Sequence, residues 1–186
     1  MKRIFDLLVG VVFLVLLVIP MLLISMAVYW SSKGPSLYWS DRMGRNNKIF
    51  KMPKFRSMLV DTPNVATHLL NNPASYLSPI GGFLRQTSLD ELPQLFSVLK
   101  GDMSFVGPRP ALYNQDDLIT LRTEKGVDKL LPGITGWAQV NGRDELSISD
   151  KVKLDTEYMQ NQSFWFDIKI LWMTFLKVTK SDGVSH

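Results

Sequence analysis

The longest unbroken pattern in the chain is apolar: from Leu7 to Trp30 the run LLVGVVFLVLLVIPMLLISMAVYW carries no charge. As a helix rising about 1.5 Å per residue, such a run can cross a hydrocarbon core of roughly 30 Å. Pro20 lies inside it, and a proline removes a backbone donor and kinks or breaks a helix at that point. Leu7 to Ile19 alone is too short to span. Two arrangements therefore compete, a kinked single span and a re-entrant hairpin that bends near Pro20 and returns. A cleaved leader fits less well, because the run is long for a leader's apolar segment and no A-x-A-like site precedes the basic stretch beyond it.

The period then shortens. Residues 37–60 read as a strand region, "SLYWSDRMG" and "KIFKMPKFRSM" around the turn "GRNN". Pro63, Pro73, Pro79 and Gly81-Gly82 punctuate residues 61–82 as a loop. Helices are expected over about 90–100 and 111–130, with a proline-rich corner between them, and Val140-Asn141-Gly142-Arg143 reads as a hairpin turn. A helical pair closes the chain over about 148–180. Its last segment, FWFDIKILWMTFLKVTK at 164–180, carries Trp165 and Trp172 two turns apart and ends with Lys177 and Lys180. That suits a core helix with a narrow polar stripe or an amphipathic helix lying among lipid headgroups. The expected fold is α+β, mainly helical: a membrane-inserted re-entrant helix over 1–33, broken near Pro20, and a small membrane-surface domain over 34–186 with amphipathic interfacial helices.

Charge sharpens the membrane reading. Lys2 and Arg3 precede the apolar run, and Lys33, Arg42, Arg45, Lys48, Lys51, Lys54 and Arg56 follow it, so the positive-inside bias places both ends in the cytoplasm and favours the hairpin. The net charge of +4 would suit nucleic acid, an anionic membrane or a phosphorylated substrate. Clustering of the basic residues beside the membrane segment argues against nucleic acid. The absence of Cys, with only His68 and His186, excludes disulfide staples, thiol nucleophiles and structural zinc, so any metal would take oxygen ligands.

Candidate chemistry centres on "TSLDELPQLF", residues 87–96. Ser88-Leu89-Asp90-Glu91 fits a capping box at a helix start, where both acids would sit at the positive end of the macrodipole and stay ionised. Their company points further. Arg85 lies just upstream, Arg109 is held between Pro108 and Pro110, and Lys54 and Arg56 share one face of a strand. Four basic groups around an acid pair suggest a diphosphate and Mg²⁺, which takes one or two carboxylates and fills its other positions with phosphate oxygens and water. Trp137, Gln139 and Asn141 alternate and, on a strand, would offer a ring and amide edges to a nucleobase, although turn chemistry explains the same residues.

Together "KFRSM", "LRQTSLDELPQLFSVLKGDMSFVGPRP", "PGITGWAQVNGR" and "LDTEYMQNQSFWFDIKIL" closely resemble the bacterial sugar transferases that are monotopic phosphoglycosyl transferases. The resemblance implies a re-entrant helix, a catalytic domain on the cytoplasmic face of the bacterial inner membrane, and transfer of a sugar phosphate from a UDP-sugar to undecaprenyl phosphate with release of UMP. Such a reaction starts glycan assembly, with downstream glycosyltransferases as candidate partners. It assigns Asp90 as nucleophile and Glu91, beside it, to Mg²⁺. Lys54, Arg85 and Arg109 become phosphate ligands, and Gln139, Asn141, Arg143 and Asp155 donor-binding candidates. The chain departs from the family's usual pattern at Ile19-Pro20, where Ser-Pro is common, and at Leu131, where an arginine is usual. The rival expectations are a non-catalytic module that binds nucleotide sugars or anionic lipid, and a hydrolase that uses the acids only as metal ligands.

Overall fold

A computed structural model describes residues 1–32, 34–62, 73–142 and 145–180. Helix α1, Lys2–Ser32, is one element with Pro20 inside it. By length and composition it is the one helix among the described residues able to cross a membrane. Its buried residues are Asp6, Gly10, Met21, Val28 and Ser32. Their separations are all close to whole numbers of 3.6-residue turns, so they form a single stripe that continues past Pro20. The opposite side leaves Leu8, Val15, Leu16, Ile19, Leu22 and Leu23 exposed.

That stripe lies against the rest of the chain along its whole length. At one end Lys2 pairs with Asp167 at 2.5 Å, and Arg3 donates to the carbonyls of Val98 and Leu99. Asp6 accepts from Ser104 Oγ and the Phe105 amide. At the other end Met21 and Val28 pack with Phe55 and Leu84, and Ser25 bonds Ser36 at 2.8 Å.

Strands β1 (Leu37–Met43) and β2 (Ile49–Phe55) form an antiparallel hairpin in which Tyr38 opposes Lys54 and Ser40 opposes Met52. Asn46 and Asn47 supply the positive φ angles of its turn, a conformation that Asn tolerates better than other side chains. Helix α2 (Gly81–Gln86) leads into a 3₁₀ turn at Leu89–Glu91 and helix α3 (Gln94–Lys100). Gly101, at φ 101°, closes α3 in the left-handed conformation, and Arg3 covers carbonyls of its last turn.

Strand β3 (Ser104–Val106) pairs in parallel with β4 (Gly133–Thr135), and helix α4 (Asp116–Glu124) lies between them in sequence. Helices α5 (Trp137–Val140), α6 (Ile148–Gln160) and α7 (Phe164–Lys180) complete the chain. The main core gathers Met52, Leu95, Val98, Met103, Phe105, Val106, Val140, Tyr158 and Ile170. A second cluster joins Met21 and Val28 of α1 to Phe55 and Leu84.

The mainly helical α+β expectation holds, as do the hairpin at 37–55 and the last two helices. The break expected near Pro20 is absent: α1 runs as one helix from Lys2 to Ser32, its buried stripe packed on the domain on both sides of the proline. Three further local expectations change. The helix expected over 111–130 is only Asp116–Glu124, because Ala111 and Leu112 are drawn into a bridge with β1 and Gly126, at φ 75°, turns the chain away. The expected hairpin at 140–143 is instead the end of α5 and a turn, while Arg143 lies outside the described residues, as does His68. The capping box at Ser88 does not form. Ser88 sits at φ 56°, ψ 18°, where its side chain caps nothing, whereas an N-cap needs extended backbone.

Helix α7 has one buried face and one exposed aromatic face. Asp167 and Ile170 are buried toward the core, while Trp165, Trp172 and Phe175 are exposed.

Candidate active site

The acid pair lies where the two hydrophobic clusters meet. On β2, Met52 belongs to one cluster and Phe55 to the other, and Lys54 stands between them on the inward face. Its Nζ reaches Glu91 Oε1 at 2.8 Å, and Arg109 Nη2 reaches the same oxygen at 3.1 Å. Both side chains of the Lys54–Glu91 pair are mostly buried, at 15% and 13% exposure. A carboxylate that takes two cations, the buried Lys54 and the partly exposed Arg109, is held for charge compensation and not for helix capping, which is the physical reason the capping box is lost.

Asp90 is buried beside them at 7% exposure. Burial pushes its carboxyl above the ordinary carboxylate range, helped by Glu91 and opposed by Lys54, Arg85 and Arg109. Burial also lowers the Lys54 ammonium, against the attraction of Glu91 and Asp90. It lowers Arg85 as well, against the attraction of Asp90, and Arg85 donates through Nε to Ser57 Oγ at 3.0 Å. The expectation that a helix start keeps Asp90 readily ionised is thus corrected: the short 3₁₀ turn offers little dipole, and desolvation wins. Ser88, two residues earlier and left-handed without being glycine, turns the chain so that both acids point into the cleft; such conformations cost about 1–3 kcal/mol.

Lys54, Arg85, Asp90, Glu91 and Arg109 are therefore brought together. Arg56 is not: it donates to the Pro35 carbonyl and stands over the Tyr38 ring.

The donor-binding candidates are dispersed. In α5, Trp137 and Gln139 stand two residues apart and so do not share a face, and Asn141 donates back to the Trp137 carbonyl. The Trp137 ring packs edge-on against Phe166 at 5.0 Å and under Lys169. Gln139 is different: both polar atoms of its amide are buried without a hydrogen-bond partner among the described residues. Asp155 is 1% exposed, and its Oδ2 accepts from Arg122 Nε at 2.9 Å and Nη2 at 2.6 Å.

Two arginines escaped the sequence reading. Arg42 donates to Ser40 Oγ and the Pro110 carbonyl, and burial together with Arg109 brings its guanidinium down to about 10, against the attraction of Glu91. A signal existed, since Arg42 shares the two-residue period of Tyr38, whose cross-strand partner is Lys54. Arg122 had none: a single arginine in "LRTE" reads as a solvated helix face.

No cluster of three or more His, Cys, Asp or Glu suited to a metal occurs among the described residues. Mg²⁺ draws few ligands from protein and the rest from substrate and water, so the adjacent carboxylates Asp90 and Glu91 are a sufficient donor set, in competition with the Lys54 and Arg109 that already meet Glu91.

Known proteins resemble this chain along most of its length. The chain is 41% identical over its whole length to the uncharacterized sugar transferase EpsL of Bacillus subtilis, covering 91% of that protein. It is 40% identical, over 95% of its length, to the UDP-glucose:undecaprenyl-phosphate glucose-1-phosphate transferase of Escherichia coli, and 37% identical, over 98%, to the undecaprenyl-phosphate galactose phosphotransferase of Salmonella typhimurium. It spans 40% and 41% of those two longer proteins. Residues 1–181 match the family described as bacterial sugar transferase, and the chain belongs to that family.

Proposed function

We propose that the protein transfers a sugar 1-phosphate from a UDP-sugar to undecaprenyl phosphate, releasing UMP and so starting assembly of a glycan. One observation carries this: a buried carboxylate pair ringed by Lys54, Arg42, Arg85 and Arg109, a cleft with more positive than negative charge and hence matched to a diphosphate. The printed activities of the Escherichia coli and Salmonella relatives support the same donor and acceptor.

In the reaction we infer, a carboxylate oxygen of Asp90 attacks the sugar-bearing phosphorus, the bond from that phosphorus to the bridging oxygen breaks, and UMP leaves with the electron pair. A phosphosugar ester remains on Asp90. An oxygen of undecaprenyl phosphate then attacks the same phosphorus and releases the Asp90 carboxylate. Two displacements let one cleft serve a water-soluble donor and a lipid acceptor in turn. Lys54, Arg85 and Arg109 stabilise the charge that gathers on the phosphoryl oxygens during each step. Glu91, with Asp90, would hold Mg²⁺, which supplies further neutralisation of the diphosphate when bound. Gln139, whose amide lacks a partner among the described residues, is the best supported of the donor-binding residues, with Asn141 and Arg143 beyond it in sequence.

Packing of α1 on the domain at both of its ends favours an arrangement that keeps both ends on one side of the membrane. Its 31 residues would reach about 46 Å as a straight rod, more than the roughly 30 Å hydrocarbon core, yet Lys2 and Ser25 both touch the same folded unit. A perpendicular span would carry one end far from that unit. We infer that α1 enters and leaves the cytoplasmic face of the inner membrane, with the exposed aromatics of α7 seated among headgroups.

The test is UMP release by purified protein given Mg²⁺, undecaprenyl phosphate and a panel of UDP-sugars. Turnover with one donor, lost in Asp90→Asn, is the expected result, together with label from that donor on Asp90 when the acceptor is withheld. Binding without turnover across the panel would favour a non-catalytic module. Turnover that ignores the lipid, with no label on Asp90, would favour hydrolysis.

A further inference from the structure

The loop that presents Arg109 has an uncommon backbone problem. Pro108 and Pro110 flank Arg109 and have no N–H, so the loop has few donors of its own, while its carbonyls still require partners. Four successive carbonyls are each taken from outside. Pro108 O accepts from the Gly133 amide of β4 at 2.9 Å, and Arg109 O from Arg122 Nη1 of α4 at 2.8 Å. Pro110 O accepts from Arg42 Nη1 of β1 at 3.2 Å, and Ala111 O from the Met43 amide at 2.9 Å.

The two side-chain donors are charged and costly to bury. Arg122 is 9% exposed and Asp155 1%, and removing an ion pair from water costs several kcal/mol per ion, which mutual attraction often fails to recover. Packing alone would be served as well by two apolar residues. What an apolar pair would lack is direction. Arg122 spends Nε and Nη2 on one oxygen of Asp155, and the planar guanidinium then points Nη1 at the Arg109 carbonyl. Asp155 comes from α6 and Arg122 from α4, so two helices act together on the Arg109 carbonyl.

We propose that Arg122, aimed by Asp155, is a positioning residue for Arg109, with Arg42 holding the next carbonyl. The loop is thereby fixed from behind, and the Arg109 guanidinium is delivered to Glu91 and to the diphosphate. The inference rests on the transfer reaction proposed above and gives Asp155 a role within it other than donor contact.

The experiment is a double-substitution cycle on the full chain in lipid bicelles, reading kcat and KM for UMP release with the UDP-sugar that the wild type uses. Arg122→Lys keeps the charge and loses the fork. It is expected to lower kcat by about tenfold to hundredfold, the cost of a misaimed group, with a smaller change in KM. In an Arg109→Ala background, where no guanidinium is left to aim, Arg122→Lys is expected to change the rate by less than about twofold. Asp155→Asn keeps the shape and one acceptor oxygen and supplies the same comparison if Arg122→Lys melts below the assay temperature. Equal losses in both backgrounds, or no loss in either, would overturn the positioning role while leaving the reaction standing. A wild type that releases no UMP would overturn the reaction and this inference with it.

Discussion

Lys54 separates a cleft built for an anion from one built for stability. Four cations, Lys54, Arg42, Arg85 and Arg109, face two carboxylates, Asp90 and Glu91, an excess of two positive charges. Unit charges 4 Å apart attract by about 4 kcal/mol at an effective dielectric of 20, so the 2.8 Å contact of Lys54 with Glu91 is a strong one. Burial of the ammonium opposes it, and Arg109 and Arg42 repel it; the balance leaves Lys54 easier to deprotonate than an ordinary lysine. Glu91 also retains Arg109 at 3.1 Å when Lys54 is gone. Lys54→Met is therefore expected to alter stability by no more than about 1 kcal/mol, a melting shift of about 4 °C or less for a chain of this size.

Ligand response should change far more. UDP at one hundred times its dissociation constant stabilises by about 2.7 kcal/mol, or roughly 5–11 °C. Loss of a charge-assisted hydrogen bond worth about 1.5–3 kcal/mol would leave only about 0.3–1.3 kcal/mol at the same UDP concentration. Circular dichroism melts of both proteins with Mg²⁺, with and without UDP, read the two quantities together. A Lys54→Met protein that melts more than about 10 °C lower while keeping the full UDP shift would refute the reasoning and make the pair a structural salt bridge.

Three further outcomes are expected. In the proposed transfer only ionised Asp90 attacks phosphorus, and its carboxyl is held above the usual range by burial, so UMP release should fall with decreasing pH at a point above that range. The same shift has the opposite sign for stability: a native pKa above the unfolded one makes ionised Asp90 a cost at neutral pH. Asp90→Asn should then melt higher than wild type at pH 8, with the gap closing as pH drops below the ordinary carboxylate range. Lys2→Glu places two acids together at Asp167 and should destabilise by about 3 kcal/mol or more, while the exchange Lys2→Glu with Asp167→Lys recovers most of it in chemical denaturation; no recovery would mean that the two residues are not neighbours. Ser88→Val, a β-branched residue forced to φ 56°, should cost roughly 1–3 kcal/mol, whereas Ser88→Gly should not destabilise; equal melting of both would refute strain at that position.

Much of the architecture was legible because its signals are local and periodic. The uncharged run to Trp30, the alternation on either side of "GRNN" and the spacing of the last two helices each carry their own information. The cations of the site were legible for a different reason, since Lys54, Arg85 and Arg109 accompany an acid pair within long, specific motifs. What was not legible depends on partners far away in sequence. Ser88 looked like a cap because its neighbours fit one, but Glu91 is claimed by Lys54 and Arg109 from other elements. Asp155 resembled a surface acid until Arg122, 33 residues away, closed over it. Trp137 and Gln139 alternate in a way that suits a strand, and only the helical geometry of α5 separates them.

The stripe on α1 has a consequence for biogenesis. Lys2 closes onto Asp167, 165 positions later, and Met21 and Val28 complete a hydrophobic cluster with Phe55 and Leu84. The inner face of α1 therefore stays uncovered during synthesis until the residues through Asp167 have been made. Deleting it to obtain a soluble enzyme would remove one wall of the folded unit along with the membrane anchor.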